Sequence, residues 1–414
     1  MPSSPRNEPR SEPAGASFAA VDHVDHVAHV AHVDHVAHVA HVDMGRLLDD
    51  PAAAADWGRS AGLDDPSIAH RSVVALTAAG VPRDLLGSLV GRLTALLPLV
   101  ADPDRVLVAL ERFMAAARNP LAAAALFERD PRALEILLGI FAASPHLAEL
   151  VIADPEAWEA VRVGRGRPEK PEALAAALAA EIGASDDPES VMRALRRFKR
   201  RQTLRIAYGD IVEKQRLETV VAQISHVADC IVDVALKTAL ARVERQRGVP
   251  RGSDGRRATI AALALGKLGG GELNYSSDID LVFVHSVDGR VEGPKPCTNQ
   301  EFFDRVVQET VRLIGEPTDL GANYRVDLRL RPHGSTGCAS MSLEAMLQYF
   351  DQSGRTWERQ AWVKGRCVGG DETLGKRLLA EMEPWVYRRW LSRADISGIK
   401  ALKRRIEQRA IREG

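Results

Sequence analysis

An α+β chain, with a mainly helical N-terminal domain ahead of a smaller domain built on a mixed sheet, is what three features of this sequence predict. Apolar residues recur at helical spacing from about 44 to 250. Two buried-strand patterns, "ATIAALALG" and "IDLVFVH", then follow a change of character near 257. An amphipathic helix and a further strand pattern come after them. At 414 residues the chain exceeds the size at which one hydrophobic core usually stops growing, so more than one domain is expected.

Residues 1–43 contain "VDHVDHVAHVAHVDHVAHVAHVD", a three-residue unit with histidines at 23, 26, 29, 32, 35, 38 and 41. Regularly spaced histidines can capture divalent ions. A period of three, however, builds no packed helical or strand face, so a disordered low-complexity tail is expected.

Residues 44–250 read as a helical domain. "DP" and "SP" steps at 64–66, 102–103, 130–131, 144–145, 154–155 and 187–188 punctuate it, and such steps mark helix boundaries. A long pair of helices near 188–218 and 219–247 closes it. The first of these carries "LRRFKRRQTLR", six basic residues that serve either as a solvated face or as a cationic wall beside a phosphate site.

Residues 251–390 read as the chemical domain. The helix "TNQEFFDRVVQETVRLIG" has a capping box at Thr298 and Glu301, apolar positions 302, 303, 306, 307, 311 and 314, and Gly315 as its stop. "ANYRVDLRLRP" is expected to be a strand, with helices at about 342–352, 356–366 and 372–390. Residues 391–414 form a basic helix.

The formal charge is −1 with 27% charged residues, so no global field favours nucleic acid or an anionic membrane. Four scattered cysteines without a C-x-x-C pair argue against a zinc site or a disulfide framework. The absence of any run of eighteen apolar residues, and a polar N-terminus, predict a soluble, cytoplasmic protein.

The chemistry concentrates in "GKLGGGELNYSSDID". Strand alternation puts Asp278 and Asp280 on one face, and two adjacent carboxylates repel unless a cation lies between them. Oxygen-only ligands suit Mg2+. The glycines ahead of them let backbone N–H groups approach an anion. The same alternation in "RVDLRLRP" places Arg325, Asp327, Arg329 and Arg331 together and Val326, Leu328 and Leu330 opposite. Asp327 would complete a carboxylate trio, as a metal ligand or as a base, and the arginine forks suit phosphate oxygens. The Walker A pattern is absent, which disfavours a P-loop ATPase.

The order of strand, glycine-rich turn, co-facial D-x-D, helix and a third Asp resembles the nucleotidyltransferase superfamily with a DNA-polymerase-β-like fold. More narrowly, "LALGKLGGGELNYSSDIDLVFVH", "VDLRLRPHGSTG" and "GRTWERQAWVKGRCVGGD" resemble the glutamine synthetase adenylyltransferase/adenylyl-removing family. "SPHLAELVIADPEAWE" and "LRRFKRRQTLRIAYGDI" resemble its N-terminal half, so the likeness runs from about 130 to 414. "ELNYSSDIDL" and "GRTWERQAWVK" resemble the adenylyl-removing module rather than the adding one.

The resemblance implies that phosphate attacks adenylyl-tyrosine on glutamine synthetase and releases ADP; the alternative direction adds AMP from ATP. It implies Mg2+ on Asp278, Asp280 and Asp327. It places Gly269, Gly270 and Ser277 at the phosphates and gives Arg329 and Arg331 the developing charge, with Lys364 or Arg366 assisting from a helix after "TWERQ". Glutamine synthetase is the implied protein substrate, and a PII-type signalling protein a candidate partner. Glu358 and Trp357 are expected to serve core packing and an ion pair. The chain ends at Gly414 where relatives continue. A fragment, a split gene or an inactive binding remnant therefore stand as alternatives to a complete enzyme.

Overall fold

The computed structural model describes residues 42–183, 185, 187–390 and 393–413. The histidine repeat through residue 41 lies outside the described residues.

Two compact units meet at Pro145/His146. In the first, helices span Met44–Asp49, Pro51–Ser60, Ile68–Ala78, Arg83–Leu96, Pro103–Ala116, Pro120–Arg129 and Pro131–Ala143. The Asp-Pro steps act as helix starts: proline takes the first helical turn, where no N–H partner is needed. The preceding aspartate caps, as Asp102 does toward Arg105 N–H. Asp154 and Asp187 do the same for later helices.

The second unit begins with helices Pro145–Ala153, Pro155–Gly164, Pro171–Ile182, Pro188–Ile211 and Leu217–Arg247. Its strands are β1 Pro250–Gly252, β2 Ile260–Leu265, β3 Ile279–His285, β4 Gly289–Val291, β5 Cys297–Thr298, β6 Val326–Asp327, β7 Ser340–Ser342 and β8 Arg366–Gly370. β1, β4 and β5 form a small antiparallel sheet. The main sheet has the order β6-β3-β2-β8, with β7 pairing further along the same edge of β3 as β6. β2 runs antiparallel to both β3 and β8, while β6 and β7 run parallel to β3, so the sheet is mixed.

The boundary expected at 250 therefore falls instead at 145. The 188–247 helices are not a separate layer. Phe198, Ile231 and Leu236 share one core with Ala262, Leu281 and Phe283 of the sheet and with Phe302, Phe303 and Val306. The opposite sheet face, Leu263, Val282 and Val284, is covered by Met346, Phe350, Leu378 and Met382. β2 and β3 are thus buried on both faces, which is why their sequences read as continuous apolar runs.

The Asn299–Gly315 helix carries its capping box and ends at Gly315, as its sequence predicts. The Leu217–Arg247 helix is long and apolar enough to cross a membrane, but 61% of its apolar window is buried inside the fold, as in a core helix. All four cysteines are free.

Three expectations need correction. The 356–366 helix stops at Trp362, and β8 takes up Arg366. Glycines at 369 and 370 concealed that strand. They are there because a Cβ on Gly369 would lie 2.8 Å from Asp233 Cα, and one on Gly370 2.3 Å from the Ile260 carbonyl oxygen. The strand expected through 331 ends at Asp327. Trp357, expected in the core, is 37% exposed. Its neighbour Glu358 is buried and accepts hydrogen bonds from Tyr349 Oη and Arg355 N–H at 2.8 Å each.

Candidate active site

The edge of β3 carries the site. Ile279 pairs with Val326 and Asp280 with Asp327. Pairing then lapses and resumes at Phe283 with Ser340. Residues 328–339 leave the sheet where a regular edge would face only Leu281 and Val282.

This excursion breaks the parity read from "RVDLRLRP". Val326 and Leu328 pack against one core and Leu330 against the other. Arg329 folds back onto Asp327, with Nε 2.8 Å from Oδ2. Arg331 turns inward, donating to the carbonyls of Leu328 at 2.8 Å, Gly337 at 3.1 Å and Ser335 at 3.2 Å. Its guanidinium holds the loop together.

Three carboxylates remain together. Asp278 sits just before β3 in a bidentate pair with Arg325, Nε–Oδ1 2.6 Å and Nη2–Oδ2 2.9 Å. Asp327 is held by Arg329, which keeps its carboxyl below the usual range. Asp280 accepts no hydrogen bond among the described residues. Burial, then the charges of Asp327 and Asp278, push its pKa up despite Arg329. Burial and like-charge crowding acting on one group are a common signature of functional sites.

As they stand, no three His, Cys, Asp or Glu side chains among the described residues form a ready-made metal centre. Two of the three acids are turned to arginines. Those arginine side chains are 84% and 79% exposed. Pairs of that kind contribute about 0–1 kcal/mol. The all-oxygen donor set of the three acids fits a hard ion, and the exposed Arg325 guanidinium is free to swing away from Asp278.

The glycine turn works by close approach. Gly266 has φ +58°, and a Cβ there would stand 2.4 Å from Asp280 Oδ2. Gly266→Ala is therefore expected to destabilise the chain by about 1–3 kcal/mol and displace the Asp280 carboxylate. Thermal melting and activity check this; a variant as stable and active as the parent would contradict it. Gly269 is needed for packing, since its Cβ would meet the Lys364 carbonyl oxygen at 2.3 Å and the Ala264 carbonyl oxygen at 2.7 Å. Gly270 lies beside the Lys364 side chain, whose ammonium pairs with Glu272. Ser277 Oγ accepts from Asn274 N–H at 3.3 Å, shaping the turn.

Sequence reasoning gave Arg366 a helix and a supporting role at phosphate. From β8 it instead grips Asp229 of the Leu217–Arg247 helix in a bidentate pair at 2.7 and 3.0 Å, and donates to the Leu268 carbonyl at 2.9 Å. It ties the glycine turn to the core helix. Gly266 and Asp229 were not singled out; only the positive φ and the fold's closure bring them to the site.

A glycine turn clasped against a mixed sheet, with three carboxylates and two exposed arginines at one strand edge, defines a domain of the nucleotidyltransferase class. Residues 134–381 match the sequence profile of glutamate-ammonia ligase adenylyltransferase. The chain is 38% identical over 330 residues to the bifunctional glutamine synthetase adenylyltransferase/adenylyl-removing enzyme of Pseudomonas aeruginosa, covering 77% of this chain and 34% of that protein. It is 35% identical over 280 residues to the enzyme of the same name from Thioalkalivibrio sulfidiphilus, covering 67% and 29%. For that of Pseudomonas putida the figures are 36% over 290 residues, covering 70% and 29%. The chain belongs to the glutamate-ammonia ligase adenylyltransferase family, and it spans about a third of the length of these relatives.

Proposed function

We propose that this chain carries a nucleotidyl-transfer site acting on glutamine synthetase, and that its direction is removal of AMP from an adenylylated tyrosine by phosphorolysis. The observation that carries the reading is the Asp280–Asp327 register with Asp278 alongside: one unpartnered, charge-crowded carboxylate beside two that are paired with arginines.

A phosphate oxygen attacks the α-phosphorus of the adenylyl group. A new P–O bond forms, the bond to the tyrosine oxygen breaks, ADP leaves, and the phenolate takes a proton. Mg2+, when bound, supplies charge neutralisation at the phosphate oxygens and the leaving phenolate. Asp278, Asp280 and Asp327 are the residues that would hold it. Arg325 and Arg329, exposed beside them, are placed to neutralise phosphate oxygens. Lys364, packed against Gly270 and paired with Glu272, is a further cation beside the glycine turn. Gly266 keeps Asp280 free of a side chain, and Arg366 holds the turn to the core.

The motifs "ELNYSSDIDL" and "TWERQAWVK" support removal over addition. The test incubates the purified chain with adenylylated glutamine synthetase, Mg2+ and inorganic phosphate. Phosphate-dependent ADP release is expected. Incorporation of AMP from ATP into unmodified glutamine synthetase would reverse the direction. Binding of glutamine synthetase with neither reaction would replace the enzyme reading with that of a binding segment. A PII-type protein is the candidate regulator of this chemistry.

A further inference from the structure

The basic run on the Pro188–Ile211 helix, ambiguous in sequence, borders a cavity of about 230 Å³ away from the three carboxylates. Its walls are His146, Glu149, Lys199, Arg200 and Thr203, facing the 319–323 segment that runs into β6. Arg196 also touches it, but its guanidinium is occupied by four backbone carbonyls. The two acids at the wall are engaged, Asp319 with Arg193 at 3.5 Å and Glu149 with a neighbouring group.

Among the described residues neither Lys199 nor Arg200 forms an ion pair with a carboxylate. Lys199 Nζ donates to the Asn323 carbonyl and stands 3.9 Å from the centre of the Tyr324 ring, so one of its three donors is still available. Arg200 makes no hydrogen bond or ion pair among the described residues. Asn323 is 4% exposed, and neither its side-chain oxygen nor its nitrogen finds a partner among them. Buried amides are normally satisfied, so this one points to a missing polar group.

The local field agrees. Burial and Arg196 push Lys199 down to about 8. Burial, Lys199 and Arg200 together hold His146 below its usual value. An anion would relieve both. The volume is below that of pockets holding nucleotide-sized ligands.

We propose that this cavity is a binding site for a small dianion, phosphate or a short dicarboxylate, held by Lys199, Arg200 and the Asn323 amide. An occupant would brace the segment that delivers Asp327 to the sheet edge.

The test titrates the full chain calorimetrically with inorganic phosphate and, separately, with malonate. Wild type, Lys199→Gln, Arg200→Gln and, to remove phosphate binding at the carboxylate site, Arg329→Gln are compared. Lys199→Gln and Arg200→Gln should each weaken binding by about tenfold or more, while Arg329→Gln retains it. Tighter phosphate than malonate assigns a phosphoryl ligand, and the reverse a dicarboxylate. No heat with either anion, affinity unchanged in both cavity variants, or loss only in Arg329→Gln overturns the proposal. Should Lys199→Gln fail to fold, Arg200→Gln decides, since Arg200 makes no hydrogen bond or ion pair among the described residues. The readout involves no turnover, so it stands or falls separately from ADP release.

Discussion

Replacing Asp280 by asparagine is expected to lower phosphate-dependent ADP release by about a thousandfold or more while leaving the fold intact and slightly more stable. The substitution keeps shape and removes the charge on which the site converges. The stability effect follows from the raised carboxyl pKa. A carboxyl whose folded pKa lies above its ordinary 3.8 makes the ionised fold less stable. That destabilisation is complete above the folded pKa and disappears below 3.8. The variant should therefore melt higher than wild type at neutral pH, and the two should converge as the pH falls below 3.8. Partial exposure of Asp280 limits the gain to below about 1 kcal/mol, or ~2 °C for a unit of this size. Retained activity, or a neutral-pH melting temperature below that of wild type, would contradict the assignment.

Arg196→Met is expected to give the largest loss of stability, about 3–5 kcal/mol. Arg196 is 1% exposed. It donates to the carbonyls of Gly321 at 2.7 Å, Met192 at 2.8 Å and Leu313 at 3.2 Å, and also to that of Glu316. It thereby fastens the end of the Asn299–Gly315 helix and the following loop to the Pro188–Ile211 helix. Methionine fills much of the volume but leaves buried acceptors unpaired, each at about 1–3 kcal/mol. Arg196→Lys should recover only part, because an ammonium cannot span carbonyls spread across a planar fork. The loop leads through Asn323 and Tyr324 to β6, so activity should fall with stability. Chemical denaturation checks the effect; a loss under 1 kcal/mol would mean the loop has another anchor.

Much of this arrangement was legible in the residues. β2, β3 and the capped helix between them and β6 announce themselves because burial on two faces, or on one stripe, leaves a strong periodic trace. Asp278, Asp280 and Asp327 could be grouped from strand parity, and the register of β3 with β6 puts Asp280 opposite Asp327. Parity misled from 328 onward. "VDLRLR" alternates whether or not the chain stays in the sheet, and only the resumption of pairing at Ser340 reveals the departure. Arg331 was consequently grouped with the phosphate arginines, while its donors serve loop carbonyls. The boundary near 145 was hidden for a different reason: Ala- and Leu-rich helices look alike on both sides of it, and only their partners differ. Gly266 needed the structure because its reason is Asp280, brought close by strand pairing rather than by sequence proximity.

On the proposed function, these three acids gather a divalent cation at the phosphate-transfer site. Electron paramagnetic resonance of Mn2+ titrated into the full chain, displaced by Mg2+ and repeated with Asp280→Asn, measures it most directly. Saturable binding in wild type, competed by Mg2+ and weakened about tenfold or more by the substitution, is the predicted result. Equal Mn2+ affinity in the two proteins would contradict it.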